Sequence, residues 1–250
     1  VLNELPRPVV FAHRGASSMA PENTLAAFQL AADLGADAVE LDVKLTADGV
    51  PVVIHDPNVD RTTNGTGRVA DLSFTALREL DAGSFMSEKF HGEPIPTLEE
   101  VFEAVGQRLL INVELTNYTT PRDGLVEKVV ALVKRHSMQE RVVFSSFFPG
   151  NLNKAAKSLP ETPCGLLTLK GWLGWPGRTI GYTRKIYTAL HPYQSDVNAH
   201  LVRRLHQKGK RVHVWTVNAE AEMKRLHSLG VDGIITDDVQ LARNLFGGAT

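Results

Sequence analysis

The apolar run Val9–Ala12 leads straight into His13, Arg14 and Gly15, and a second short run, Val52–Ile54, leads into His55 and Asp56. A protein interior rejects imidazole and guanidinium groups that lack partners, so such groups at strand ends are expected to face a ligand. Imidazole is the side chain best suited to moving a proton near neutral pH. One histidine so placed is more often a hydrogen-bonded structural group, but two flanking a cluster of acids point to an acid–base pair. The acids are Glu40 and Asp42, two residues apart and so on one face of a strand, and Glu114 in "INVEL". Three carboxylates brought together repel unless a cation lies between them. All-oxygen ligation favours a hard divalent ion, Ca2+ or Mg2+, over zinc; pairing with Arg14 or a surface lysine is the alternative for any one acid. Arg14 beside such a site reads as an anion clamp, since guanidinium matches two phosphate oxygens at once, with bridging of the carboxylates as its structural alternative.

"PENT", residues 21–24, follows at once. Asn23 is predicted to cap the next helix, which leaves Glu22 unexplained by capping. Trp215 closes "VHVW" and suits the apolar wall of a pocket, with a core position as the alternative. "LKGWLGWPGRTIGY" sets Trp172 and Trp175 in a glycine-rich loop, predicting either a lip that touches a substrate's head group or acyl chain, or a packed cover over the helices.

These residues need strands that deliver them to one place. Strands are predicted at 9–12, 38–43, 109–114, 142–145, 165–168, 186–191, 212–215 and 233–236, and helices at 24–34, 98–105, 125–136, 151–159, 199–208 and 219–229. This β–α alternation predicts parallel strands with crossover helices. Eight units in 250 residues match a closed (β/α)8 TIM barrel, whose strand C-termini carry function; a doubly wound open sheet is the alternative. "LGADAVELD" and "LGVDGIITD" echo each other, with Gly35 and Gly230 suited to closing helices. The pattern breaks at about 51–96, where Asn64-Gly65 signals a turn. We read 1–250 as one domain with a small insertion, at about 56–96, after the second strand.

Lys plus Arg total 27 against 28 acids, a net charge of −1, so no general attraction to nucleic acid or anionic membrane is expected and any anion recognition must be local. Cys164 is the single cysteine, which excludes a disulfide framework and a cysteine metal site. No apolar run approaches the ~20 residues needed to span a bilayer and no signal peptide is visible. A cytoplasmic protein without stable membrane insertion is expected, although a chain beginning at Val leaves a trimmed leader open.

"AHRGASSMAPENTLAAF", "GADAVELDV", "PVVIHD", "LLINVEL", "VVFSSF", "VHVWTVN" and "GVDGIITD" together closely resemble the glycerophosphodiester phosphodiesterase family, in the family's order and from residue 9 to about 238. The resemblance implies a (β/α)8 barrel that cleaves glycerophosphodiesters, such as glycerophosphocholine, to sn-glycerol 3-phosphate and an alcohol. It implies that His13 and His55 are the acid–base pair and that Glu40, Asp42 and Glu114 hold one divalent cation. Arg14 would hold phosphate, Glu22 would sit at the site, and Trp215 would line the glycerol pocket. In one departure, the family's usual phosphate-binding lysine two residues past the third-strand glutamate is replaced here by Thr116. Lys170, at the end of the fifth strand, is the expected substitute; weaker phosphate binding or a different substrate are the alternatives. The rival functions are a lysophospholipase D-type enzyme acting on acylated glycerophospholipids and a barrel that binds phosphoesters without turnover. Head-group preference and oligomeric state are left open.

Overall fold

The structure is a computed structural model that describes residue 2 and residues 4–247. Its inner wall comes from the apolar runs: β1 (Val9–His13), β2 (Ala38–Leu45), β4 (Leu110–Leu115), β5 (Val142–Ser146), β6 (Cys164–Thr168), β7 (Ala189–Pro192), β8 (Arg211–Val214) and β9 (Gly233–Thr236). Neighbours pair in parallel, and β1 bonds to both β2 and β9, so the described strands close into a (β/α)8 barrel. β3 (Pro51–Val53) stands outside this pattern, antiparallel to the end of β2 with Val43 opposite Val53.

Alternation along each strand sorts the side chains. Val10 and Ala12 face outward into the main core beneath the helices, while Val9 and Phe11 face the barrel interior with Ala38, Leu110 and Val143. His13, Glu40 and Glu114 continue those inward rows at period two, so the interior is apolar low in the barrel and ionisable at the strands' C-terminal ends. On the wall formed by β7 and β8, His191 and His213 are fully buried, with His213 Nδ1 3.1 Å from His191 Nε2.

The outer layer comprises α1 (Leu25–Asp33), α3 (Leu98–Val105), α4 (Leu125–Arg135), α5 (Pro149–Ser158), α7 (Ala199–His206), α8 (Glu220–Ser228) and α9 (Val239–Phe246), with two short helices, α2 (Phe74–Arg78) and α6 (Trp175–Thr179). Gly35 and Gly230 adopt φ of +80° and +76° just past α1 and α8, the left-handed position predicted for them. The cap of α1 differs from expectation. Thr24, not Asn23, accepts the Ala27 N–H, because Asn23 itself takes a left-handed φ of +59° and sends its amide into the barrel. The predicted strand at 212–215 ends at Val214; Trp215 keeps only an isolated parallel bridge to Tyr193 and turns its indole N–H to the His191 carbonyl. Residues 54–97 lie over β2 and β3 on a small apolar cluster that includes Ile54, Val59, Val69, Leu77 and Ile95. No helix among the described residues is long and apolar enough to cross a membrane.

Candidate active site

Strand register assembles the site. His13 on β1 pairs with Glu40 on β2, and Asp42 pairs with Glu114 on β4. Carboxylate oxygens of Glu40, Asp42 and Glu114 lie within 4.8 Å of one another. They line a cavity of about 260 Å3 together with His13, Arg14, His55, Asn112 and Trp215. The backbone turns sharply to present Arg14, with φ of +57° there and +86° at Gly15. A Cβ on Gly15 would lie 2.6 Å from that of Ala27, so only glycine lets α1 pack so close behind the turn.

Burial and mutual repulsion set the charge states. Burial, then Asp42 and Glu114, pushes the Glu40 carboxyl well above its ordinary range. Burial and Asp42 push Glu114 up to about 8. Asp42 is buried too, yet Arg14, His55 and the Asn23 amide outweigh that and hold it below the usual carboxylate range. Asn112 Oδ1 is buried in the same place without a hydrogen-bond partner. Three converging carboxylates, two of them disfavoured as anions, beside an orphaned amide oxygen form a donor set that fits a hard divalent cation. A second cluster, Glu99, Glu103 and His136, lies on the helical layer, but Arg135 and His136 already satisfy Glu99.

Each histidine has a carboxylate behind it. His13 Nδ1 lies 2.6 Å from Asp237 Oδ1, and its Nε2 points inward, 3.9 Å from Glu40. Burial opposes ionisation of Asp237, but His13, Asn218 and Ser17 hold its carboxyl below the ordinary value. His55 Nδ1 lies 2.6 Å from Asp56 Oδ1. Chiefly through its hydrogen bond to Arg61, Asp56 drops to about 2. Arg61 also donates twice to Glu22, each at 2.8 Å, and Arg14 Nη1 donates to the same carboxylate at 2.8 Å. Glu22 therefore ties Arg14 to the segment that carries His55. It lines a shallower cleft beside His13 and Asp237 rather than the main cavity.

Lys170 is the exception among the expected site residues. The chain turns outward at Leu169, which leaves Lys170 exposed and outside the cavity lining, its Nζ 5.1 Å from the Tyr193 ring centroid. The cation that meets Thr116 is Lys44, whose Nζ donates to Thr116 Oγ1 at 2.8 Å and to its carbonyl at 3.1 Å. Sequence reasoning passed over Lys44, although its spacing from Glu40 and Asp42 places it on their face of β2. Asp237 closes "LGVDGIITD" and Asn218 closes "VHVWTVN", but neither stretch by itself assigns them a role, and Arg61 carries no local signal.

A model of the glycerophosphoryl diester phosphodiesterase family matches residues 13–241. This chain belongs to that family. It is 43% identical to the glycerophosphodiester phosphodiesterase of Caldanaerobacter subterraneus subsp. tengcongensis, over 96% of this chain and 98% of the relative. A glycerophosphodiester phosphodiesterase of Bacillus altitudinis is 39% identical over 91% of this chain and 94% of its own length. Among solved structures, an Oleispira antarctica phosphodiesterase in complex with the product sn-glycerol-3-phosphate superposes with a TM-score of 0.88 at 33% identity, covering 96% of this chain and 97% of that one. The matched range takes in His13, His55, Glu40, Asp42, Glu114 and Asp237.

Proposed function

We propose that this chain hydrolyses glycerophosphodiesters to sn-glycerol 3-phosphate and an alcohol, with His13 and His55 as the acid–base pair. The observation that carries the reading is two carboxylate-backed imidazoles beside three converging acids and Arg14 in one cavity. A phosphodiester is anionic and its alkoxide leaves poorly, so one histidine accepts the proton of the attacking hydroxyl while the other gives a proton to the departing oxygen. With Asp237 accepting from Nδ1–H of His13 and Asp56 from that of His55, both Nε2 atoms are left for these transfers. The nucleophile is water, or the glycerol 2-hydroxyl, which gives a cyclic phosphate that water then opens. Arg14 grips the nonbridging oxygens, Lys44 adds positive charge beside Asp42 and Glu114, and Trp215 walls the glycerol. Glu40, Asp42 and Glu114 would hold a divalent cation, Ca2+ or Mg2+, which when bound draws charge off the phosphoryl oxygens.

One observation favours a second reading. An apolar groove of about 550 Å3 shares Phe147 and Leu167 with the cavity, giving room for the hydrocarbon of a lysophospholipase D substrate. A panel of water-soluble glycerophosphodiesters and lysophosphatidylcholine, each with Ca2+ or Mg2+ and with chelator, tests both. Release of glycerol 3-phosphate that chelator abolishes supports the first, and a higher kcat/KM on lysophosphatidylcholine supports the second. Binding without any turnover overturns both.

A further inference from the structure

The connection between β6 and β7 leaves Trp172 82%, Ile180 68%, Trp175 58% and Leu173 56% exposed. With Phe148 and Leu169 these make six of the nine large apolar side chains exposed among the described residues. Phe148, Leu169, Leu173 and Ile180 share one groove, so the patch is contiguous and of the kind that marks an interaction surface. Charge is equally uneven. Between Glu161 and Asp196 the sequence holds four cations, Lys170, Arg178, Arg184 and Lys185, and no acid, in a chain whose net charge is −1. Arg178 is turned inward, donating to the Leu169 and Gly171 carbonyls and pairing with Asp196 at 3.0 Å, which braces the loop. Lys170, Arg184 and Lys185 stay exposed, and Arg184 borders the same groove as Leu173 and Ile180.

We propose that this connection docks the mouth of the barrel on an anionic phospholipid surface. Indole rings favour the head-group level, where an apolar face and a polar edge are both satisfied. Each Lys or Arg close to an anionic leaflet strengthens partitioning by about fivefold. A second copy is a poorer occupant. A two-fold interface sets a patch against itself, which here brings cations together with no acid to offset them. The connection follows a strand's C-terminal end, as the cavity does, so docking sets the cavity beside lipid. The inference stands apart from the reaction proposed above, because it rests on residues outside the cavity.

The test is flotation of the full chain with vesicles of phosphatidylcholine alone and of phosphatidylcholine mixed with phosphatidylglycerol. Binding to the mixed vesicles is expected, with a blue shift in tryptophan emission and release by added salt. Arg184→Glu/Lys185→Glu should weaken binding at least about twentyfold, from two cations at about fivefold each, and Trp172→Ser/Trp175→Ser should abolish the blue shift. Both variants should keep wild-type kcat/KM on water-soluble glycerophosphocholine. No binding to the mixed vesicles, or equal binding to neutral ones, overturns the proposal. So does a dimer, seen by light scattering, that the tryptophan variant dissolves while vesicles are ignored.

Discussion

Asp42 and Glu114 stand opposite each other across β2 and β4, with Glu40 two residues before Asp42, and the charge states follow from that crowding. Without a cation, Glu114, pushed up to about 8, holds its proton at neutral pH, and burial with the neighbouring carboxylates raises Glu40 well above its usual range. A cation must displace that proton, so its affinity falls as pH drops below about 8, by about tenfold per unit. Calorimetric titration with Ca2+ or Mg2+ in buffers of different ionisation enthalpy should show proton release and weaker binding at lower pH; Glu114→Gln should lose most of the affinity. Lys44 carries a second expectation. With its ammonium anchored on Thr116, Lys44→Met should lower kcat/KM about tenfold or more, and adding Thr116→Lys should recover part of it. No recovery would mean that the charge at that spot does not serve the substrate. The strand-end acids and histidines were legible because alternation fixes which side chains share a face. Asp237 was not, since its partner His13 lies 224 residues away in sequence. Asn23 misled because a good capping residue also tolerates the left-handed turn that sends its amide to Asp42.

The turn joining β1 to α1 shows how an element sets the site's precision. Arg14 and Asn23 both take left-handed backbone, and the Asn23 N–H donates to the Arg14 carbonyl, which fixes the two ends of this connection to each other. Gly15 allows that turn, with Ala27 directly behind it. Gly15→Ala combines left-handed strain with a clash against helix backbone, so a loss of about 2–4 kcal/mol is expected. Urea denaturation should show a clear drop in midpoint, whereas Gly67→Ala, at an open position with φ of +115°, should lose only the strain. The order of strands and helices was legible from periodicity. The exact strand ends were not: Ile186 reads as strand, but pairing with β6 begins only at Ala189, because the chain is still descending from the β6–β7 connection. Arg61 was hidden for a related reason, since it acts across a long irregular segment whose path no period announces.

Closure of the barrel makes one site from residues spread over almost the entire chain. His13 comes from the first strand, Asp237 from just past the last, and β1 bonds to both β2 and β9 to bring them together. Eight β–α units were readable from the sequence, and with them the end of the barrel where chemistry would sit. The antiparallel β3 and the cluster beneath residues 54–97 were less so, because a short apolar strand in a polar stretch does not say which edge it joins. The central claim is that both imidazoles act on one phosphorus from opposite sides. Its most direct test is the kcat of His13→Ala and of His55→Ala on glycerophosphocholine, with saturating divalent cation and correct folding confirmed by melting. Each should fall at least about a hundredfold, as loss of an acid–base group requires; near-normal turnover in either variant would contradict the account.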